Sequence, residues 1–99
     1  MYKSISIDEF YQKQKNEELT ILDVREIYEF KNGHILNSKN IPLSNIDQAY
    51  KNLDKTKPYF VICHSGSRSI NACIFLSNNG FDVTNVMGGM SSWKGDVVI

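Results

Sequence analysis

Residues 59–80 read YFVICHSGSRSINACIFLSNNG. The run Tyr59–Ile62 is apolar at every position, which is typical of a β-strand covered on both faces. Residues 63–67 are mostly small and polar and predict a loop, and Arg68–Asn79 predicts a helix that closes on a glycine. In open α/β sheets, ligands bind beyond the carboxyl ends of the strands. The segment therefore places Cys63 at the candidate site.

The loop that begins at Cys63 has the features of a site for an anionic sulfur. A loop leading into a helix N-terminus directs backbone N–H groups inward, and the helix dipole adds positive potential. Gly66 permits a backbone conformation that other residues avoid. A ring of donors predicts a lowered thiol pKa and a reactive Cys63, in preference to a small buried hydrophobic residue. The candidate catalytic residue is Cys63, and the candidate substrate-binding residues are His64, Ser65, Gly66, Ser67, Arg68 and Ser69.

Short strand-like runs alternate with helical stretches along the rest of the chain. Ser6 followed by Glu9 is a capping-box pattern and predicts the start of the first helix. Alternation of this kind predicts an α/β fold with a mostly parallel sheet and helices on both faces. The predicted strands are Lys3–Ile5, Thr20–Asp23, Ser38–Asn40, Tyr59–Ile62 and Phe81–Val86, and the predicted helices are Ile7–Gln14, Glu26–Asn32, Ile46–Leu53, Arg68–Asn79 and a turn at Met90–Lys94.

Composition excludes several classes of protein. A chain of 99 residues fits one domain, residues 1–99. Eleven basic and eleven acidic residues cancel, which argues against a nucleic-acid partner and against a polybasic membrane anchor. The apolar runs are far shorter than the about 20 residues of a membrane span or the about 7–15 of a secretory signal. We therefore expect no membrane partner and a cytoplasmic location, where two cysteines do not make a disulfide framework.

Charged residues near the second strand are predicted to support the loop. Asp23, Arg25 and Glu26 form this loop-supporting set. Arg68 either contacts an anionic substrate or forms a structural pair with Asp23 or Glu26; a planar guanidinium suits bidentate geometry, and the structural pair is the favoured interpretation. Asp23 is interpreted as a loop-orienting carboxylate rather than an acid/base catalyst. Arg25 either lines the pocket rim or is solvated, and the sequence leaves both open.

The remaining candidates have structural interpretations. Cys73, within the predicted 68–79 helix, is expected to be a buried structural cysteine rather than a resolving partner for Cys63. His34 is expected to stabilise a turn, since the chain supplies no spaced cluster of metal ligands. Trp93 is expected to contribute to the core. No metal and no cofactor is predicted.

The order and spacing of these motifs resemble the rhodanese-like sulfurtransferases over nearly the whole chain. The resemblance implies a five-stranded, mostly parallel sheet in a three-layer sandwich. It also implies that Cys63 takes a sulfane sulfur from a small sulfur-containing anion or a persulfide, becomes a persulfide, and passes the outer sulfur to a thiol or protein acceptor. The motifs are Leu22–Glu26, Glu29-Phe30, Gly33–Ile35, Asn40–Leu43, Cys63-x-x-Gly66-x-Arg68-Ser69, Ala72, Leu76, Gly80-Phe81, Gly88-Gly89 and Trp93.

Two alternatives remain beside this interpretation. A small cysteine phosphatase or arsenate reductase would use a similar loop, but the spacing of five positions from Cys63 to Arg68 makes a smaller cradle than phosphatases use. It favours one added sulfur atom over a phosphoryl group. A non-catalytic rhodanese module is the other alternative, although such modules commonly lose the cysteine. His64 and Ser65 stand where thiosulfate-using members often carry cationic side chains, which puts thiosulfate as donor in question.

Overall fold

A computed structural model describes residues 1–99 as a five-stranded parallel sheet flanked by helices. The strand order is β1-β5-β4-β2-β3. The α/β class and the sheet are confirmed, and every strand pairing is parallel. The elements are β1 Lys3–Ser6, α1 Ile7–Asn16, β2 Ile21–Asp23, α2 Ile27–Lys31, β3 Lys39–Asn40, α3 Ile46–Ala49, β4 Tyr59–Ile62, α4 Ser67–Asn78 and β5 Val83–Met87, with short 3-10 turns at Leu43–Asn45, Tyr50–Asn52 and Met90–Ser92.

The first helix begins where the sequence pattern placed it. The Ser6 hydroxyl accepts a hydrogen bond from the Glu9 backbone N–H at 3.1 Å and caps α1. Phe10 on this helix is fully buried against the sheet. The helix runs two residues past the predicted end, to Asn16.

The predicted helix Ile46–Leu53 is wrong in its bounds. Pro42 (φ −56°) starts a 3-10 turn at Leu43, so the helical stretch begins earlier and only Ile46–Ala49 is α-helical. The Ser44 hydroxyl does not cap this helix and instead donates to Glu26 Oε1 at 3.0 Å. The C-terminal tail is tied back by an antiparallel bridge between His34 and Val98.

Two apolar clusters lie on the two faces of the sheet. Alternate residues of a strand point to opposite faces. Tyr59 and Val61 of β4 belong to the cluster under α3 and α4, and Ile62 belongs to the one under α1. By the same alternation Cys63, directly after β4, lies in the α4 cluster and so next to the start of that helix. None of the helices is both long and apolar enough to cross a membrane.

Candidate active site

Cys63 is held at the carboxyl end of the central strand by the loop that follows it. The Gly66 backbone N–H donates to Cys63 Sγ at 3.0 Å, and the Cys63 thiol donates to Ser69 Oγ at 3.4 Å. Gly66 takes a left-handed conformation (φ +112°) as the N-cap of α4. That conformation turns its N–H back toward the sulfur, which is why glycine suits this position.

The surroundings of Cys63 favour its thiolate. Burial alone raises the pKa of this thiol, but hydrogen bonds from the hydroxyl and backbone N–H of Ser69 and from the backbone N–H groups of Gly66 and Ser65 outweigh it. The pKa of Cys63 therefore lies below its ordinary value. A lowered thiol pKa raises the thiolate fraction at neutral pH, and the thiolate is the nucleophile.

The glycine turn after β5 contacts the backbone of the Cys63 loop and holds it in place. The carbonyl oxygens of Cys63 and His64 accept hydrogen bonds from the backbone N–H groups of Met90 and Ser91, each at 2.8 Å. Gly89 (φ +60°) lies so close that a Cβ there would sit 2.5 Å from the Cys63 carbonyl oxygen. The loop backbone and this turn therefore fit together without room for any side chain.

The predicted substrate-binding residues divide by exposure. His64, Ser65 and Ser67 are exposed, whereas Gly66 and Ser69 are buried. Cys63 is itself fully buried. The exposed side chains of His64, Ser65 and Ser67 make no hydrogen bond to the protein.

The comparisons with known proteins agree with this geometry. The rhodanese-like domain model matches residues 6–96. The chain belongs to the rhodanese-like domain family. A putative sulfurtransferase, YtwF of Bacillus subtilis, is 41% identical over 95% of this chain and 92% of its own length. The thiosulfate sulfurtransferase GlpE of Shewanella oneidensis is 32% identical over 93% of this chain and 92% of its own.

A solved structure shows the same fold. The crystal structure of a rhodanese-related protein from Thermoplasma volcanium superposes with a TM-score of 0.90 at 42% identity and covers 98% of both chains. The predicted fold class and family are therefore confirmed for this rhodanese-like domain.

The predicted partner of Arg68 in this rhodanese-like domain is wrong. Arg68 pairs with neither Asp23 nor Glu26; it donates in bidentate fashion to Glu29 of α2, at 2.6 and 2.9 Å. Hydrogen bonding from Arg68 lowers the pKa of Glu29 to about 2, and the Glu29 carboxylate raises the pKa of Arg68. The charge of Arg68 is thus neutralised by a carboxylate, and the pair ties α2 to the start of α4.

The loop-supporting set also needs correction. Arg25 is not solvated; it is buried, and its guanidinium donates to both Asp23 carboxylate oxygens at 2.8–3.1 Å and to the Gly33 carbonyl at 2.8 Å. Glu26 caps α2 and accepts from Ser44. None of the three is hydrogen-bonded to residues 63–69. Asp23 and Arg25 stabilise the connection between β2 and α2, because the Arg25 guanidinium joins the Asp23 carboxylate at the end of β2 to the Gly33 carbonyl after α2.

The residues with structural interpretations lie where those interpretations put them. Cys73 is free and fully buried. His34 Nδ1 lies 2.8 Å from the Phe30 carbonyl oxygen, and the two rings stack at 3.7 Å. Trp93 packs on Phe10 and Tyr11. No group of three or more His, Cys, Asp or Glu side chains has a geometry that could hold a metal ion.

Two residues of the site were missed by the sequence reasoning. Glu29 appeared only as part of a family motif, and its carboxylate is the partner of Arg68. Asn85 of β5 is 2% exposed and contacts Ser69, which in turn contacts Cys63. Asn85 follows Val83 by two positions and so shares its buried face of β5, and a polar residue at such a position was the available signal.

Proposed function

We propose that this rhodanese-like domain is a sulfurtransferase in which Cys63 carries the transferred sulfur as a persulfide. The observation that carries the proposal is the set of backbone N–H groups and the Ser69 hydroxyl that favour the Cys63 thiolate. Relatives named as sulfurtransferases, at 32–41% identity over nearly the full chain, support the same chemistry.

The reaction proceeds in two displacements. The Cys63 thiolate attacks the sulfane sulfur of the donor, the bond from that sulfur to the rest of the donor breaks, and the leaving group departs with the electron pair. The outer sulfur of the resulting persulfide is then attacked by an acceptor thiolate, which restores Cys63. Loop amides that stabilise the thiolate also stabilise the anionic persulfide, so one set of donors serves both half-reactions.

The proposed donor is a persulfide in preference to thiosulfate. A dianion such as thiosulfate requires cationic side chains around the sulfur, and Arg68 is already neutralised by Glu29. His64, directly after Cys63 in the loop, is an exposed titratable residue, and Ser65 carries no charge. GlpE of Shewanella oneidensis is named for thiosulfate, so thiosulfate serves as the comparison donor. The proposed acceptor is a small thiol or a protein cysteine.

The test is mass spectrometry of the intact protein after incubation with each donor. A gain of about 32 Da, one sulfur atom, is expected on Cys63, and faster with glutathione persulfide than with thiosulfate. Cys73→Ser should keep the adduct and Cys63→Ser should lose it. No adduct with any donor, or an adduct on Cys73, would contradict the proposal. Hydrolysis of an aryl phosphate that depends on Cys63 would instead support the phosphatase.

We further propose that residues 1–99 act as one domain and work in the cytoplasm. The family match spans residues 6–96, which leaves little of the chain outside it. Persulfide chemistry needs Cys63 as a free thiol, and the cytoplasm keeps thiols reduced. Fractionation of cells that produce the protein, followed by a blot, would test the location.

A further inference from the structure

The Ser69 hydroxyl has more neighbours than its single proton can serve. Ser69 is fully buried, and its Oγ lies 3.4 Å from Cys63 Sγ, 3.0 Å from the Gly66 carbonyl oxygen and 2.5 Å from Asn85 Oδ1. A serine hydroxyl carries one proton and two lone pairs. The Gly66 carbonyl and Asn85 Oδ1 are both acceptors, and so is Cys63 once it is ionised.

The contacts of Ser69 Oγ fit the neutral thiol. The Cys63 S–H donates to Ser69 Oγ, and the Ser69 O–H donates to Asn85 Oδ1, so each group in the chain donates to the next. The hydrogen bonds in such a chain polarise and strengthen one another inside a protein. Asn85 Nδ2 donates to no protein group in this arrangement and keeps access to solvent, since no buried side-chain polar atom of the protein lacks a partner.

For the thiolate, the backbone N–H groups serve as they stand, and only the contact between Ser69 and Asn85 has to change. An ionised Cys63 needs the Ser69 proton for itself, but Asn85 Oδ1, facing Ser69, competes for that proton. Rotation of the Asn85 side-chain amide by about 180° about χ2 brings Nδ2 to the place of Oδ1. Nδ2 then donates to Ser69 Oγ and leaves the Ser69 proton free to donate to the sulfur.

We propose that Asn85 is a positioning residue for Ser69, and that its side-chain amide turns over when Cys63 ionises. Its oxygen faces Ser69 while Cys63 is a thiol, and its nitrogen faces Ser69 while Cys63 is a thiolate or an anionic persulfide. The proton that Cys63 loses goes to solvent. The Asn85 amide therefore lets the Ser69 hydroxyl accept from the thiol and donate to the thiolate. No further group has to gain or lose a proton.

Other charged groups near Cys63 lie outside this chain of hydrogen bonds. None of them is hydrogen-bonded to Ser69 or Asn85. The titratable groups there are Arg68 held by Glu29 and the buried, neutral Cys73 on α4, the exposed His64 in the loop, and Asp23 held by Arg25 at the end of the neighbouring strand β2.

The direct test follows the side-chain NH₂ signals of Asn85 by ¹⁵N NMR while the pH is raised. We expect both signals to shift with the same midpoint as the iodoacetamide alkylation rate of Cys63. The shift should vanish in Cys63→Ser and in Ser69→Ala. Signals that do not move would overturn the proposal, and so would a shift that persists in Ser69→Ala, since the latter would be a through-space effect.

A second test uses variants of the strand. Asn85→Leu keeps a similar shape and removes both the donor and the acceptor. The thiol form loses little, because the Ser69 proton still has the Gly66 carbonyl as acceptor, whereas the thiolate loses the group that orients Ser69 toward it. We expect the alkylation midpoint to rise by about one pH unit, which is about a tenfold slower reaction at neutral pH.

The matched control is Val83→Ala, at a buried residue on the same face of β5 whose side chain cannot hydrogen-bond to Ser69. It should lower thermal stability and leave the alkylation midpoint unchanged. In a Ser69→Ala background, Asn85→Leu should have no further effect on the midpoint; an undiminished effect there would overturn the proposal. Neither test requires sulfur transfer. A protein that accepts no sulfur but shows the coupled titration would therefore contradict only the proposed function.

Discussion

Cys63 and Cys73 are both fully buried, yet their environments shift the pKa values of the two thiols in opposite directions. Burial raises the pKa of Cys73 to about 12, and the nearby Cys63 adds to the effect. Burial also opposes ionisation of Cys63, but hydrogen-bond donors outweigh it. At the scale of single residues, the reactivity of a cysteine here is decided by the donors that face it, because the thiolate needs partners that replace water.

This contrast predicts selective alkylation. With iodoacetamide at pH 7–8 and the protein folded, Cys63 should react and Cys73 should not, since a thiol with a pKa of about 12 is almost entirely protonated there. Peptide mapping by mass spectrometry gives the modified residue. Cys63→Ser should react only after unfolding in guanidinium chloride. Equal labelling of both cysteines in the folded protein would show that the loop donors do not act as described.

At the scale of elements, the loop depends on the turn beneath it. The carbonyl oxygens of Cys63 and His64 are fixed by Met90 and Ser91, and Gly89 touches the loop backbone directly. Backbone atoms cannot move aside as the end of a flexible side chain can. The position of the loop amides around the sulfur is therefore set jointly by the β4–α4 connection and by the turn that follows β5.

This dependence predicts an effect of Gly89→Ala at a distance from the sulfur. The added Cβ would lie 2.5 Å from the Cys63 carbonyl oxygen, so the loop must shift. Its backbone N–H groups would then no longer point at the Cys63 sulfur. We expect Cys63 alkylation at neutral pH to slow by about tenfold or more and the melting temperature to fall.

Gly80→Ala is the matched control for that variant. Gly80 also has a positive φ (+89°), but its added Cβ would meet only the flexible side chain of Lys55, at 3.7 Å or more. It should therefore cost about 1 kcal/mol of stability from backbone strain and leave the alkylation rate unchanged. If Gly80→Ala slowed alkylation as much as Gly89→Ala, general destabilisation and not loop position would be the cause.

For the whole molecule, the sequence predicted the fold better than it predicted the contacts between elements. Strand and helix periodicity and the glycines carry the local information, and the apolar run before Cys63 was enough to place it at the end of a central strand. The partner of Arg68 was not accessible in this way. Asp23, Glu26 and Glu29 are all near one another in sequence, and only the phase of α2 and its packing decide which carboxylate meets the guanidinium. Asn85 likewise meets Ser69 only because β5 lies beside β4 in the sheet.

The ion pair of Arg68 and Glu29 predicts how the stability of the whole molecule depends on pH. The pKa of Glu29 is lowered from 4.5 to about 2, chiefly by hydrogen bonding from Arg68, so the unfolded chain binds the proton more readily than the folded one. The stabilisation is therefore complete above about pH 5 and is lost as the pH falls through the interval down to about 2. Because both side chains keep some contact with water, we expect about 1–2 kcal/mol from the pair.

Urea unfolding at a series of pH values measures this contribution. Glu29→Gln should lower the free energy of unfolding at pH 7 and remove most of its decline between pH 5 and pH 2, because the variant has no carboxyl to protonate at that position. Glu18→Gln, at an exposed residue with no ion pair, is the control and should keep the decline. If Glu29→Gln loses stability at pH 7 but retains the full acid decline, the protonation of another carboxylate governs acid unfolding. The contribution of Glu29 to stability would then come from packing and neutral hydrogen bonds between α2 and α4 and not from its charge.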